Sequence, residues 1–214
     1  MSLATQLEET LNSFVGSLSE QAQQTVGQSM QQLMESNVAD NAINVGSNAP
    51  DFTLPSTQGD AVKLSELLAK GPVVISFFRG GWCPFCNLEF KALMDKLPEI
   101  EACNATLVTI SPETMENSKA TVEKFSLTYT VLSDVGNVIA KEYGLLMTVS
   151  EDMRPLYLEW GIDVPTANGD DTYELPVPAT YIIGNDGVVK YAYINKNYTS
   201  RMEPEEIIEK LKEC

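Results

Sequence analysis

The chain has 214 residues, 43% of them hydrophobic, and carries a formal charge of −16 with no histidine. That length buries one sizeable core, the acidity argues against a nucleic-acid partner, and the missing histidine excludes Ser-His-Asp and Cys-His catalysis along with the commonest zinc nitrogen ligand. No stretch approaches the roughly 18 apolar residues of a membrane span, four cysteines are too few for a disulfide-stapled scaffold, and with Lys63 the first basic residue neither a signal peptide nor a mitochondrial presequence is expected, so the cytoplasm is the expected compartment.

Residues 1–45 read as a helical extension ahead of a domain spanning 46–214. Leu7, Leu11, Phe14, Leu18, Ala22, Val26, Met30 and Leu33 step by three or four and form one apolar stripe. Gly16 and Gly27 are the expected breaks between two helices. The stripe has two uses, an arm that forms a homodimer or a helix folded back on its own domain, and its pattern does not choose between them. Pro50 and Pro55 then bracket a short extended piece, "QGD" (58–60) is a turn, and Gly71 ends a short helix over 65–70. "PVVISFF" (72–78) is a strand buried on both faces, and 88–103 is helical, kinked or ended at Pro98. "ATLVTIS" (105–111) completes a βαβ unit. Helix (114–125), strand (129–134) and helix (135–143) follow. Residues 145–177, with Pro155, Pro165 and Pro176, read as irregular. "ATYIIG" (179–184), the turn "NDG" and "VVKYAYI" (188–194) make a hairpin, and Pro204 opens a last helix.

The chemistry lies in "RGGWCPFC", Arg79–Cys86. Pro84 suits the first helical position. Cys83 is then near the N-cap and Cys86 in the first turn, where free N–H groups and the helix dipole favour a thiolate, with Arg79 close enough in sequence to add charge. Two intervening residues let the sulfurs meet and exchange a disulfide. Zinc needs four ligands, and Cys103 and Cys214 form no second pair, so neither a metal nor another cofactor is expected. Cys103 reads as a core filler and Cys214 as a mobile terminal thiol. Tyr157, Trp160 and Tyr173 wall a pocket over the cysteines or hold their own loop down, and "NGDD" (168–171) is a solvated turn, since its spacing does not fit an EF-hand.

With "VGSNAPDFTLP", "VVISFFRGGWCPFCNLE", "LVTISPE", "VLSD" and "VPATYIIGNDGVV", the chain resembles the alkyl hydroperoxide reductase / thiol-specific antioxidant (AhpC/TSA) family of the thioredoxin superfamily, over residues 45–212. The resemblance implies an α/β thioredoxin-like fold, a central mixed sheet flanked by helices. It implies a cis Pro178 facing the cysteines, with the Val177 backbone beside the sulfurs. Trp82, Pro84, Val177 and Pro178 would position substrate.

The sequence also departs from the family's P-x-x-x-T-x-x-C motif. Aligned on Cys86, the proline position is Arg79 and the threonine position Cys83, and the arginine expected before the strand at 179 is Pro178. The reading is a thiol-dependent peroxidase in which Cys86 attacks hydrogen peroxide or an organic hydroperoxide, Cys83 resolves the sulfenic acid, Arg79 stands in for the lost arginine, and a thiol such as thioredoxin or glutathione restores the pair. The alternatives are a disulfide reductase with Cys83 as nucleophile, and a redox sensor without turnover.

Overall fold

The computed structural model describes residues Met1–Cys214. Two helices come first, α1 (Leu3–Ser17) and α2 (Glu20–Glu35), each opened by a serine whose hydroxyl accepts an N–H of the first turn, Ser2 from Thr5 and Ser19 from Ala22. The break falls at Leu18–Ser19. Gly27 lies within α2, because a local N-cap starts a helix more effectively than one glycine interrupts it.

The central sheet has five strands, β3 (Val73–Phe77), β4 (Thr106–Ser111), β5 (Thr130–Ser133), β8 (Ala179–Ile183) and β9 (Val189–Ile194), in the order β5-β4-β3-β8-β9. β3 runs parallel to β4 and antiparallel to β8. Every residue of β3 is buried. Its alternation splits the core: Val74 and Phe78 meet Phe85, Cys86 and Phe90 of helix α4 (Pro84–Ala102), whereas Val73, Ile75 and Phe77 meet Leu64, Tyr143 and Tyr181 on the other face. Helices α5 (Met115–Phe125) and α9 (Pro204–Leu211) lie on the α4 side, and the short α3 (Leu64–Leu68) and α6 (Val138–Glu142) opposite them. Pro98 does not end α4. Ile100 beyond it is fully buried, and that packing outweighs the lost backbone hydrogen bond. The hairpin β1 (Thr53–Pro55) and β2 (Ala61–Lys63) brackets the expected turn. α6 starts at Val138 rather than 135, because the Asp134 carboxylate accepts the N–H groups of Ile139 and Ala140 at 3.0 and 2.9 Å.

The stripe on the arm is used within the chain. Leu3 and Leu7 are buried in the α4 core, and burying a leucine contributes about 1.5–3 kcal/mol. Glu203 accepts the N–H groups of Leu3 and Ala4 at 3.1 and 2.7 Å, where the helix end favours an anion. Val26 and Leu33 of α2 pack on a third cluster built around Met147, Met153 and Tyr157. Of the two uses open to the stripe, packing on the chain's own domain is the one the structure contains.

Residues 145–177 are more regular than expected. They hold β6 (Leu146–Thr148) paired antiparallel with β7 (Glu174–Pro176), a 3-10 turn (Glu151–Met153), and the short helices α7 (Arg154–Glu159) and α8 (Val164–Asn168). Gly169 and Asp170 close the "NGDD" turn, with Asp170 accepting from the Thr172 N–H. No helix is long and apolar enough to cross a membrane.

A tight backbone crossing precedes β3. A Cβ on Gly71 would lie 1.9 Å from the Asn104 carbonyl oxygen. Gly71→Ala is expected to lower stability by about 1–3 kcal/mol through forced backbone displacement, read as a lower urea midpoint at unchanged slope. An unchanged midpoint would contradict this contact.

Candidate active site

β3 feeds straight into the dithiol. After Phe78 the chain turns through Arg79, Gly80 and Gly81 and enters α4 with Cys83 as N-cap and Pro84 at the first helical position. The turn is held from behind: the Gly81 N–H donates to the buried Glu113 carboxylate at 3.0 Å, and Thr121 stands where a Gly81 Cβ would be, 2.0 Å away. Burial pushes the Glu113 carboxyl up, and the Gly81 N–H and Thr121 hydroxyl oppose that.

Cys83 and Cys86 are both buried, 1% and 0% exposed, and both are free thiols. Only Cys83 lines a slot of about 60 Å³, walled by Phe14, Trp82, Tyr157, Trp160 and Tyr198 with Arg79 at its side. Its outer wall is Phe14 of α1, set edge-on to Trp160 at 4.9 Å. Of the two uses left open for the loop aromatics, Tyr157 and Trp160 wall the slot, whereas Tyr173 packs on the loop's own cluster with Arg154 over its ring.

Arg79 is buried, and its guanidinium lies 4.2 Å from the Tyr198 ring, 5.1 Å from Trp82 and 5.8 Å from Tyr157. One nitrogen donates to the Tyr157 hydroxyl. Its Nε, and Nε1 of Trp82, are buried with no partner. Unmade bonds of this kind are costly in a resting protein and useful once a substrate oxygen arrives.

Burial raises the Cys83 thiol. Hydrogen bonding from Cys86 and the charges of Arg79 and Arg201 outweigh that and bring it down to about 5. Cys86 is held well above the usual thiol range by burial and by the Cys83 sulfur, even though Arg201 Nη2 donates to its Sγ at 3.1 Å. These facts agree if the pair shares one proton. Cys83 carries the negative charge because it has Arg79 as well, and Cys86 keeps the proton and donates it to Cys83.

The structure brings Cys83, Cys86, Arg79, Trp82 and Pro84 together. It does not bring Val177 or Pro178 to the slot. Val177 is buried in the third cluster and donates to the Leu145 carbonyl, and Pro178 is preceded by a trans peptide, since the chain has no cis bond. Pairing of β6 with β7 and the Val177–Leu145 bond fix this segment without a cis bond. Arg201, which contacts Cys86 directly, was not singled out by the sequence. Scarcity is the one feature the sequence offered, since Arg201 is one of three arginines among 14 basic residues, and it does not tell Arg201 from Arg154.

A dithiol at the end of a central parallel strand, one sulfur a thiolate at a helix start, defines a thioredoxin-like oxidoreductase. Residues 45–192 match the AhpC/TSA family model, and the chain belongs to that family. It is 32% identical to "Peroxiredoxin Q, chloroplastic" of Sedum lineare over 72% of this chain and 70% of that one. It is also 32% identical to the protein of the same name from Oryza sativa subsp. japonica, over 72% of this chain and 60% of that one. The chain thus spans 60% of one relative's length and 70% of the other's. Among solved structures, peroxidoxin BcpB from Mycobacterium tuberculosis superposes with a TM-score of 0.62 at 21% identity, covering 80% of this chain and 97% of that one. A cysteine variant of PrxQ from Xylella fastidiosa gives 0.63 at 17% identity, covering 80% and 96%. At such identities these two likenesses concern the fold.

Proposed function

We propose that this thiol-dependent peroxidase of the AhpC/TSA family uses Cys83 as the attacking thiolate and Cys86 as the resolving thiol. The observation that carries this order is that Cys83, and not Cys86, borders the slot, and the lowering of its thiol by the Cys86 hydrogen bond and the charges of Arg79 and Arg201 agrees with it. It reverses the order read from alignment on Cys86. The Cys83 thiolate attacks the near oxygen of a hydroperoxide ROOH. The S–O bond forms, the O–O bond breaks, and the alkoxide or hydroxide leaves and takes up a proton. The unpartnered N–H groups of Arg79 and Trp82 are the donors available to that departing oxygen. Cys83 is then a sulfenic acid. Cys86 attacks its sulfur, an S–S bond forms, and water leaves. Two equivalents of an external thiol, of the thioredoxin or glutathione class, return the dithiol and become a disulfide. No metal or other cofactor has a part in this cycle.

What favours this reading over that of a disulfide reductase is the match to the AhpC/TSA family and the likeness to the peroxiredoxin Q proteins. Because the arm packs on its own domain, the dimer does not form part of the proposal. The cytoplasm stays the proposed compartment, on the grounds that the cycle needs a thiol pool.

The test is to treat Cys86→Ser with one equivalent of hydrogen peroxide and map the modified peptide by mass spectrometry. One added oxygen on Cys83 is expected. Cys83→Ser gaining an oxygen on Cys86 at the wild-type rate would overturn the order.

A further inference from the structure

Arg201 stands just before α9 and does not line the slot. Its side chain is 2% exposed and its donors are assigned: Nε to Glu89 Oε2 at 2.6 Å, Nη1 to the carbonyls of Tyr198 and Ser200, both at 2.7 Å, and Nη2 to Cys86 Sγ at 3.1 Å. Glu89 is 4% exposed, and its other oxygen accepts from the Ser76 hydroxyl at 2.9 Å. Ser76 lies in β3 on the same face as Val74 and Phe78, so a serine in an otherwise apolar strand has a reason to be there. A buried ion pair seldom adds stability over an apolar replacement. One aimed at a reactive sulfur calls for another explanation.

The geometry points to Arg201 as a catalytic residue of the return half of the cycle: it takes up the negative charge that arrives on Cys86 Sγ, and Glu89 and Ser76 hold it in position to do so. This rests on the proposed order of attack. In the resting dithiol Cys83 bears the charge and Cys86 its proton. Once Cys83 has been oxidised to the sulfenic acid its sulfur is neutral. Two of the influences that keep Cys86 protonated, the Cys83 charge and the hydrogen bond to it, then disappear, while Arg201 remains. Cys86 can lose its proton to the departing hydroxide as its sulfur bonds to Cys83 and water leaves. In the reverse sense, an external thiolate attacks Cys83 Sγ and forms a mixed disulfide. The Cys83–Cys86 bond breaks, and its electron pair goes to Cys86 Sγ, which leaves as a thiolate facing Arg201. A second external thiol then attacks the outer sulfur of the mixed disulfide, releasing Cys83 as a thiolate. A leaving thiol of lower pKa leaves faster, which is the contribution a fixed cation at 3.1 Å makes. The arginine of the family pattern would stand at position 178, so Arg201 reaches the dithiol from a different part of the chain.

The test separates the phases. Arg201→Met alone strands the Glu89 carboxylate, so the charge-neutral pair Glu89→Gln/Arg201→Met is compared with wild type, and Arg201→Lys is the conservative control. First, reduced protein is mixed with hydrogen peroxide under stopped flow, and the sulfenic and disulfide phases are followed by tryptophan fluorescence. Second, oxidised protein is mixed with dithiothreitol. In the double variant at pH 8, disulfide formation and reduction are both expected to slow by about 10²-fold, while the first phase, in which Arg201 is only one of the charges lowering Cys83, falls by a clearly smaller factor. Arg201→Lys should recover part of the loss. Third, in a Cys83→Ser background the ultraviolet thiolate absorbance of Cys86 should titrate about one unit or more higher when Arg201→Met and Glu89→Gln are added. A double variant reduced as fast as wild type overturns the assignment. So does one in which all phases fall together, since that marks a merely structural role, and so does an unmoved Cys86 titration. A fault in the order of attack shows separately, in the peptide map of Cys86→Ser.

Discussion

Cys83→Ser is expected to lose at least about 10³-fold in the second-order rate with hydrogen peroxide, the scale on which removing an activated nucleophile acts. Cys86→Ser should keep its first oxidation within about tenfold of wild type and then stop after one equivalent. The two thiols are unequal for reasons visible around them. Cys83 is the N-cap of α4, borders the slot, and has Arg79 and Arg201 as cationic neighbours. Cys86 lies one turn in, fully buried. In Cys83→Ser the remaining sulfur does have Arg201 beside it, so a thiolate can form there, but it is fully buried and does not line the slot. In Cys86→Ser the serine hydroxyl replaces the thiol as donor to Cys83, so the attacking thiolate survives. What is lost is resolution, and excess peroxide should carry the stranded sulfenic acid on to sulfinic acid. Stopped-flow traces of the two variants decide the matter. If Cys86→Ser shows the large loss and Cys83→Ser does not, attack begins at Cys86.

The parts of this molecule that were legible in the sequence are those whose signals are local. β3, β4 and β8 read as strands because continuous β-branched and aromatic runs bounded by turn residues have few other homes. The dithiol's place at a strand-to-helix junction followed from the strand "PVVISFF" running into "GGWCP". The elements within 145–177 are three to six residues long, too short for a periodic pattern to accumulate, and their geometry comes from β6–β7 pairing and from packing on α2. The arm's stripe was legible while its partner was not, because an apolar face does not say what will cover it. Arg201 lies 115 residues from the sulfur it contacts, so nothing but the folded chain brings them together. Pro178 was a transfer from the wider superfamily, and here the segment before β8 is already fixed by pairing with β6.

The pH profile of the first oxidation step should show the site's electrostatics directly. In wild type the rate should be flat from above pH 6 to 8 and fall as the pH drops through about 5, since only the thiolate attacks and Cys83 titrates near there. Arg79→Met should alter this profile in two separable ways. The guanidinium is the second-ranked influence lowering Cys83, after the hydrogen bond from Cys86, and it works against burial, which remains when it is gone. Removing an opposite charge close by should move the midpoint up by about 1–3 units, so the fall in rate comes at higher pH and the loss is greatest in acid. At high pH, where Cys83 is a thiolate in both proteins, a second loss should persist, because the donor proposed for the departing oxygen, the unpartnered Arg79 Nε, is gone. One such donor is worth about 10²–10³ in rate. A lowered plateau together with a shifted midpoint gives Arg79 both roles. A shifted midpoint with an unchanged plateau would confine it to holding the Cys83 thiolate, leaving Trp82 Nε1 to meet the oxygen, and an unmoved midpoint would remove Arg79 from the electrostatics of the dithiol altogether.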